Sequence, residues 1–381
     1  MASENASAGV IRINLHNFRN YAALEADFPA SPIVLFGENG AGKTNILEAL
    51  SFLSPGRGLR NARLSHVTTL PQKPGATWAA SVQVALTEGS ITLGTGLEFT
   101  GTGQERRAVK IEGVKAARQA TLAEWISVIW ITPQMGRLFI DPASGRRKFV
   151  DRLVFSLNPM HAEHIQRYEH ALTERSSLLK KPPYDPSWVE QLETQIAEKA
   201  VAIAGSRKAA LQQVSDHQSD SLVFPRFFAH MEGEFEQWFE QEGSQVEERL
   251  RQTLHNNRRL DAEIGGSRIG PHRSDLNLTH CSRNMIAAQC STGEQKMLLL
   301  AITLAFVRVQ RHNQDHAWRR TNLLLIDDVV AHLDAHHRSV LFDEVCHLNL
   351  QTWLTGTDLD VFQELKDRAQ LIRVDNATLN L

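Results

Sequence analysis

The sequence predicts an α/β fold that is split by a second, mainly helical lobe, and three observations support this prediction. A glycine-rich segment at residues 37–44 follows a short apolar run and precedes a helix-like stretch. Another apolar run, at residues 323–326, ends in the acidic pair Asp327-Asp328. Residues 141–265, which separate these segments, have the spacing of apolar positions that is typical of helices. We therefore expect a discontinuous α/β domain whose two halves form one sheet.

The first third of the chain has the pattern of strands and turns. Residues 10–28 alternate apolar and polar positions, as half-buried strands do. Similar patterns occur at residues 79–86 and 91–99, with a glycine-rich turn after the second. Residues 10–140 are therefore assigned to the α/β head. Residues 1–9 lack the charged start and apolar centre of a signal peptide, and we expect them to form a disordered tail.

The helical lobe is predicted to contain a short helical hairpin. Its first helix covers about residues 146–181, with an interruption near Asn158-Pro159, and two prolines stop it. A second helix follows from about residue 187 to 219. The α/β pattern then returns, so the lobe is assigned to residues 141–265 and the remainder of the head to residues 266–381.

Composition and charge are ordinary for a water-soluble protein of two or three domains. The chain has 381 residues, of which 42% are hydrophobic, and a formal net charge of −2. This charge gives no global positive field, so any contact with nucleic acid has to use local basic clusters. Such clusters occur at Arg57, Arg60 and Arg63, at Arg146, Arg147 and Lys148, and at Arg249, Arg251, Arg258 and Arg259. For each arginine, a solvated helix face or a local ion pair is the alternative.

The cysteines and the apolar runs bear on the cellular compartment. Cys281, Cys290 and Cys346 are odd in number and widely spaced, which favours neither a disulfide framework nor a zinc site. No apolar run approaches the length of a membrane span. We expect a cytoplasmic protein that does not enter a membrane.

The glycine-rich segment fits the pattern G-x-x-x-x-G-K-[ST], in the strand-loop-helix context that this pattern requires. Its backbone N–H groups and the following helix N-terminus would face phosphates, and Lys43 would reach the β- and γ-phosphates. Thr44 would bind Mg²⁺ directly and Asp327 through water. The predicted phosphate-binding residues are Gly37, Glu38, Asn39, Gly40, Ala41, Gly42, Lys43, Thr44 and Asn45. A glycine-rich turn without a ligand is the alternative.

A third motif narrows the class of nucleotide-binding protein. Residues 291–296, Ser-Thr-Gly-Glu-Gln-Lys, open a helix-like stretch before Asp327 and resemble the signature loop of ABC-type ATPases. A serine hydroxyl and a glycine N–H at a helix N-terminus can form an anion site. The resemblance implies that Ser291 and Gly293 bind the γ-phosphate of ATP held by another subunit, so that ATP joins a homodimer. An N-cap serine on an ordinary buried helix is the alternative.

Other residues follow the order of the ABC motifs. Gln134 has the position of the Q-loop glutamine, and residues 331–334 resemble the D-loop. Asp328 stands where most ABC enzymes have a glutamate as general base. Residues 354–358, Leu-Thr-Gly-Thr-Asp, occupy the switch position, where transporters usually have a histidine. The resemblance implies catalytic roles for Lys43, Asp327, Asp328 and Gln134.

The Asp-Asp pair, the Thr-Gly-Thr-Asp switch and the helical insertion together resemble the RecF family of SMC-like ABC ATPases. Residues 17–21, 145–151 and 270–276 agree with this resemblance, which extends over nearly the whole chain. Glu294 stands where family members often have glutamine. Asp328 is one methylene shorter than glutamate, which favours slow hydrolysis.

The RecF resemblance implies an ATP-dependent DNA-binding protein of recombinational repair and replication-fork restart. Such a protein would dimerise on ATP, bind double-stranded and gapped DNA, and act with RecR and RecO to load RecA onto SSB-coated single strands. It would belong to the DNA-damage (SOS) response, have a weak DNA-stimulated ATPase and lie in the bacterial cytoplasm near the nucleoid. Arg60, Arg146, Arg147 and Lys148 are the candidate DNA contacts.

Three other readings compete with the RecF resemblance. A transporter subunit is disfavoured, because its signature loop follows the P-loop much sooner and its switch has a histidine. An SMC-like head with another chromosome-maintenance role stays open, although the insertion here can form only a short hairpin. A DNA-binding module with a decayed ATP site is disfavoured by the intact Lys43, Thr44 and Asp327.

Overall fold

The computed structural model describes residues 8–71, 75–116, 118–219, 223–314 and 320–380. These residues form two compact units. Unit 1 contains the chain up to Met135 and from Gln310 onward, and unit 2 is Gly136–Val309. Most of the predicted tail, residues 1–7, lies outside the described residues, whereas Gly9 already begins the first strand.

The elements alternate along the chain as follows. The strands are β1 (Gly9–Phe18), β2 (Tyr21–Asp27), β3 (Ile33–Phe36), β4 (Ala79–Ala85), β5 (Ser90–Phe99), β6 (Glu105–Ile111), β7 (Val114–Lys115), β8 (Ile126–Ile131), β9 (Phe227–Glu232), β10 (Asp275–His280), β11 (Met285–Ile286), β12 (Thr321–Ile326), β13 (Gln351–Gly356), β14 (Gln370–Asp375) and β15 (Thr378–Asn380). The helices are α1 (Lys43–Ser51), α2 (Ala143–Leu157), α3 (Met160–Leu179), α4 (Pro186–Asp216), α5 (Glu234–Glu242), α6 (Val246–Asn256), α7 (Arg258–Ile264), α8 (Thr292–Gln314) and α9 (Ala335–His347).

One sheet of unit 1 is antiparallel and has the strand order β2-β1-β4-β5-β6-β7. In β1, Ile13 and Leu15 point to the same face and are buried, whereas the neighbouring His16 is exposed. This is the alternation that the sequence predicts. The ring of Trp78 lies 5.3 Å from that of Phe18 and 4.9 Å from that of Phe52, measured between centroids. These aromatic contacts join the sheet to the end of α1.

The other sheet of unit 1 has the order β15-β14-β3-β13-β12-β8 and is parallel except for β15. Its strands β8, β12 and β13 are buried along their whole length, which agrees with the apolar runs of β8 and β12, whereas β13 also buries Gln351, Thr352 and Thr355. Because parallel strands share a direction, the carboxyl ends of β3, β8, β12 and β13 meet at one edge. Helix α1 starts from this edge, and its Ile46 and Leu47 share one core with Leu35 of β3.

Unit 2 is built around packed helices. The predicted interruption at Asn158-Pro159 separates α2 from α3, and α4 begins after Asp185, whose carboxylate accepts a hydrogen bond from Ser187 N. Helices α3, α4 and α6 contribute to one buried core, including Ala171, Ile196 and Leu250. Among the described residues, no helix combines the length and the apolar content required to cross a bilayer.

Unit 2 also contains a sheet that the sequence pattern does not predict. Strand β9 lies in the segment assigned to the helical lobe, and it pairs with β10 from Glu232 opposite Asp275 to Phe227 opposite His280. This backbone pairing ties residues 275–286 to unit 2, although the sequence assigns them to the head. The observed division at 136–309 therefore differs from the predicted lobe at 141–265.

Buried charges connect three helices of unit 2. Arg175 of α3 is 1% exposed and bonds Glu193 of α4 at 3.0 Å and Asp261 of α7 at 2.7 Å. Its third donor reaches Leu254 O at 2.6 Å. Arg258 adds a second guanidinium to Glu193 at 2.6 Å. The buried carboxylates are thus both paired and hydrogen-bonded, which offsets their desolvation.

Candidate nucleotide site

The loop between β3 and α1 has a backbone that only glycine adopts readily. Gly37, Gly40 and Gly42 have φ angles of 145°, 84° and 122°. A Cβ on Gly37 would lie 2.2 Å from Val374 O, because β14 runs directly beside the loop. Glu38 and Asn39, which lie between Gly37 and Gly40 in the loop, are exposed. The loop leads into the N-terminus of α1, where unpaired N–H groups and the helix dipole favour phosphate.

Lys43 is the first residue of α1, and its side chain folds back over the loop. Its Nζ donates to Gly37 O at 2.6 Å and to Glu38 O at 2.7 Å, and the residue is 7% exposed. Burial lowers the pKa of Lys43, and the nearby carboxylates of Asp328 and Asp327 oppose this effect. The ammonium therefore donates to neutral carbonyl oxygens. A charged phosphate oxygen accepts a stronger hydrogen bond from an ammonium and can replace them.

Asp327 lies one residue beyond β12 and joins the two halves of the site. Its Oδ1 accepts from Thr44 Oγ1 at 2.7 Å and from Thr355 Oγ1 at 2.9 Å. Burial raises the pKa of Asp327, while these two hydrogen bonds lower it. A carboxylate beside a hydroxyl is an oxygen donor set that suits Mg²⁺, which commonly takes one or two protein ligands and completes its shell with phosphate and water.

Asp328 has a different environment from its neighbour. Its φ angle is 49°, in the left-handed region, and its N–H donates to Thr355 Oγ1 at 2.8 Å. Its Oδ1 is buried and has no hydrogen-bond partner among the described residues. A buried acceptor without a partner and a strained backbone are features that functional sites often show.

Gln134 and Asn45 lie around the same site. Gln134 is exposed in the turn after β8, and β8 pairs with β12 so that Ile131 is opposite Ile326. Gln134 therefore follows the sheet edge that carries Asp327. Asn45 Nδ2 donates to Asn20 Oδ1 at 2.7 Å, and Asn20 in turn donates to Ala41 O.

The signature-like loop belongs to unit 2, where Ser291 precedes α8. Ser291 and Gly293 are exposed. Glu294 Oε2 accepts from both the N and the Oγ of Ser291 at 2.8 Å, and Glu294 N points back to Ser291 Oγ at 3.4 Å. This reciprocal arrangement is a capping box. The S-x-x-E spacing of Ser291 and Glu294 is the sequence pattern of a capping box. The sequence prediction, however, treats Glu294 only as a departure from glutamine.

Comparison with known proteins identifies the family. Residues 9–379 match the family described as RecF/RecN/SMC N terminal domain. The DNA replication and repair protein RecF of Mesorhizobium japonicum is 39% identical over 378 residues, covering 98% of each chain. RecF of Rhizobium meliloti is 38% identical over 372 residues, covering 97% of this chain and 98% of that protein. The chain belongs to the RecF family.

The solved structure of the recombination mediator protein RecF-ATP in the RecFOR pathway has the same fold. It superposes with a TM-score of 0.81 at 19% identity, covering 100% of this chain and 99% of that chain. RecF-ATPrS gives the same TM-score and covers 98% of each chain. The predicted ABC-type ATPase head with a mainly helical second lobe is therefore confirmed as the fold of this RecF-family chain.

One further residue of this RecF-family site, Glu48, is given no role by the sequence prediction, and it contacts a residue that is. Glu48 of α1 is fully buried and accepts from Arg19 at 2.6 Å and from Arg60 at 2.9 Å. Arg60 also donates to Asn45 Oδ1 at 2.6 Å. Thr355 links the two aspartates, as described above. The sequence signal for this contact is a glutamate within the apolar run of α1, because a buried carboxylate requires a cationic or hydrogen-bonding partner.

The basic cluster at residues 146–148 of this RecF-family chain divides in the structure. Arg146 bonds Asp275 through two contacts of 2.7 Å and also donates to Leu138 O, Phe139 O and Asp141 O. Its guanidinium is therefore used internally, which is the local ion pair that the sequence analysis gives as the alternative to a DNA contact. Arg147 donates to Ser274 O at 2.7 Å, whereas Lys148 is exposed.

Proposed function

We propose that this chain is an ATP-dependent DNA-binding protein of recombinational repair and replication-fork restart. The observation that carries the proposal is the 2.7 Å bond between Thr44 Oγ1 and Asp327 Oδ1, which joins P-loop and acidic strand at one sheet edge. Membership of the RecF family supplies the biological setting, since relatives of similar length are DNA replication and repair proteins.

The proposed ATPase centre uses residues of unit 1. Lys43 and the N–H groups of residues 37–45 would bind the phosphates, and the residues that would hold Mg²⁺ are Thr44, directly, and Asp327, through water. Bound Mg²⁺ would neutralise phosphate charge. The partnerless Oδ1 of Asp328 accepts from the attacking water, and Gln134 approaches from the neighbouring strand end. Because aspartate is short, we expect slow hydrolysis that serves as a switch.

The second half of the proposed centre comes from another copy of the chain. Ser291 and Gly293 are exposed at the N-terminus of a helix whose first N–H groups can bind an anion. In the proposed dimer they bind the γ-phosphate of ATP held by the partner. ATP then favours the dimer, and hydrolysis releases it.

DNA is the proposed ligand of that dimer. It would be double-stranded or gapped, and the protein would act with RecR and RecO to load RecA onto SSB-coated single strands in the cytoplasm near the nucleoid. The exposed Lys148 is the best-placed member of the candidate contacts Arg60, Arg146, Arg147 and Lys148, since the three arginines already have partners. Phosphate contacts make binding salt-dependent and independent of sequence.

The dimer is tested by Ser291→Arg, with Ser187→Arg at the start of α4 as the control. The arginine places bulk and charge at the proposed trans site, so ATP-dependent dimerisation and DNA-stimulated hydrolysis should both be lost. Binding of ATP by the single chain should be unchanged, because unit 1 is intact. Light scattering with and without Mg·ATP measures the dimer. A variant that still dimerises on ATP contradicts the trans site.

The DNA substrate is tested by comparing gapped with blunt duplexes at fixed salt, with and without ATP. Tighter binding to gapped DNA in the presence of ATP is expected. Equal binding to both, or binding that ignores ATP, would favour a different chromosome-maintenance role for this ATPase head.

A further inference from the structure

The loop before α8 contains a contact that none of the ABC motifs predicts. Arg283 lies in the turn between β10 and β11, and its Nε is 2.5 Å from Glu294 Oε1. The other oxygen of this carboxylate, Oε2, holds the N–H and the hydroxyl of Ser291. A single carboxylate therefore connects an arginine of the hairpin to the serine proposed to meet the partner's ATP.

The charge of Glu294 presents a difficulty at such a place. Hydrogen bonds from Ser291 hold the pKa of Glu294 below its usual range, and Arg283 adds to this effect. The carboxylate is therefore ionised at neutral pH. An anion one hydrogen bond away from the serine would repel an approaching γ-phosphate, and this repulsion acts over several ångströms. A positive charge on the opposite side of the carboxylate removes much of it.

Arg283 contributes little to the stability of the fold. Its side chain is 60% exposed and that of Glu294 is 23% exposed. Exposed ion pairs of this kind contribute little to the stability of a folded protein. Its place beside the signature-like loop is thus better explained by an effect on a ligand than by an effect on folding.

We infer that Arg283 is a positioning residue for ATP-dependent association: it neutralises Glu294, so that the single hydroxyl proton of Ser291 can turn from that carboxylate to the partner's phosphate. This inference rests on the proposed function, since it needs a phosphate from a second copy of the chain. It assigns Glu294 the role of a carboxylate that holds the backbone N–H of Ser291 and whose charge has to be balanced. Arg283 needs no contact with the nucleotide for this role.

The inference predicts an unusual relation between two substitutions. Arg283→Ala leaves Glu294 unbalanced and should weaken ATP-dependent dimerisation by about tenfold. Glu294→Gln removes the charge while its amide oxygen can still accept from Ser291, so dimerisation should stay near that of the wild type. In the double variant the arginine has no charge to balance, and dimerisation should return to the level of Glu294→Gln.

The experiment measures dimer formation by light scattering across a series of Mg·ATP and protein concentrations, together with the affinity of the single chain for ATP. Arg283→Lys should restore most of the dimer. Arg259→Ala is the matched control, because Arg259 is 94% exposed and pairs with Glu263 within α7. The affinity of the single chain for ATP should be equal in all variants. A variant that had lost its folded structure would bind ATP more weakly, so this measurement detects misfolding.

Two outcomes overturn the inference alone. One is that Arg283→Ala dimerises like the wild type while Ser291→Arg fails to dimerise; the other is that the double variant stays as weak as Arg283→Ala. If the wild-type chain itself does not associate on ATP, or if Ser291→Arg still does, the proposed function fails and the inference fails with it. The Ser291 variant therefore separates the two failures.

Discussion

A single hydroxyl group organises the acidic pair at the end of β12. Thr355 Oγ1 donates to Asp327 Oδ1 and accepts from Asp328 N. The hydroxyl has one proton, so these two bonds use its donor and one acceptor lone pair. Asp327 is thereby fixed beside Thr44, while the backbone of Asp328 is fixed in its left-handed conformation. Adjacent carboxylates thereby obtain different environments, which is consistent with the different roles proposed for them, one at the metal ion and the other at the attacking water.

His272 is another residue whose environment determines its protonation. It accepts from Tyr168 Oη at Nδ1, 2.7 Å away, and its Nε2 donates to Ser267 O at 3.0 Å. Because Ser267 O can only accept, the proton of a neutral ring lies on Nε2, which leaves Nδ1 as the acceptor. Burial lowers the pKa of His272 to about 4, against an ordinary value of 6.5. Both ring nitrogens are used in packing the loop, which argues for a structural role and against metal binding.

The low pKa of His272 predicts a loss of stability in mild acid. The unfolded chain takes up the proton near pH 6.5, whereas the folded chain does so only near pH 4. The free energy of unfolding should therefore fall as the pH decreases through this window, by about 3 kcal/mol at most from this residue. Urea unfolding of the wild type and of His272→Gln, measured from pH 7 to pH 4, tests how steeply the free energy of unfolding depends on pH. The dependence should be weaker in His272→Gln.

The control for His272 is His170→Gln, because His170 is 76% exposed. Carboxyl groups titrate in the same window, but their contribution is shared by all three proteins. Parallel stability curves for the wild type and His272→Gln would show that the ring does not carry this pH dependence.

The helices of unit 2 depend on the buried group formed by Arg175, Glu193 and Asp261. Removing the arginine would leave two carboxylates without a full set of partners inside the core. We expect Arg175→Ala to lower the free energy of unfolding by about 3–5 kcal/mol. Arg251→Ala, which breaks an exposed pair with Glu248 in α6, should lower the free energy of unfolding far less.

Denaturant unfolding followed by the circular dichroism of the helices measures both variants. Equal small losses for Arg175→Ala and Arg251→Ala would mean that water enters the site and replaces the guanidinium. The position of Arg175 at the junction of α3, α4 and α7 would then have no special energetic role.

Local patterns predict the elements around the nucleotide site well. The apolar runs of β3 and β12 and the P-loop pattern are signals within a few residues, and they correctly place α1, Thr44 and Asp327. Contacts between distant segments are not encoded in this way. Arg146 appears basic and available in the sequence, yet its partner Asp275 lies 129 residues away. Strand β9 is not predicted for the same reason. It follows a long helical stretch, and its pairing partner β10 lies more than 40 residues further along the chain.

At the scale of the whole molecule, the nucleotide should stabilise the two units unequally. The residues proposed to bind ATP in one chain all belong to unit 1. A ligand present at a hundred times its Kd stabilises its site by about 2.7 kcal/mol. Hydrogen exchange of the Ser291→Arg protein, which should not dimerise, is expected to slow in β3, α1 and β12 upon addition of Mg·ATP. Helices α3 and α4 should exchange as before.

The same measurement on Ser291→Arg combined with Lys43→Ala provides the control. Without the ammonium, ATP should give no protection in β3 or α1. Protection that persists in this double variant, or that spreads evenly over both units, would place the nucleotide elsewhere.

The position of β3 within its sheet also governs when this site can exist. Strand β3 forms hydrogen bonds with β13 on one side and β14 on the other. Both neighbours follow β3 in the chain by more than 300 residues, β13 at Gln351–Gly356 and β14 at Gln370–Asp375. Until β14 has been synthesised, the P-loop strand lacks at least one neighbour, and pairing over so long a separation is slow. We therefore expect that a nascent chain cannot hold ATP before β14 has emerged from the ribosome.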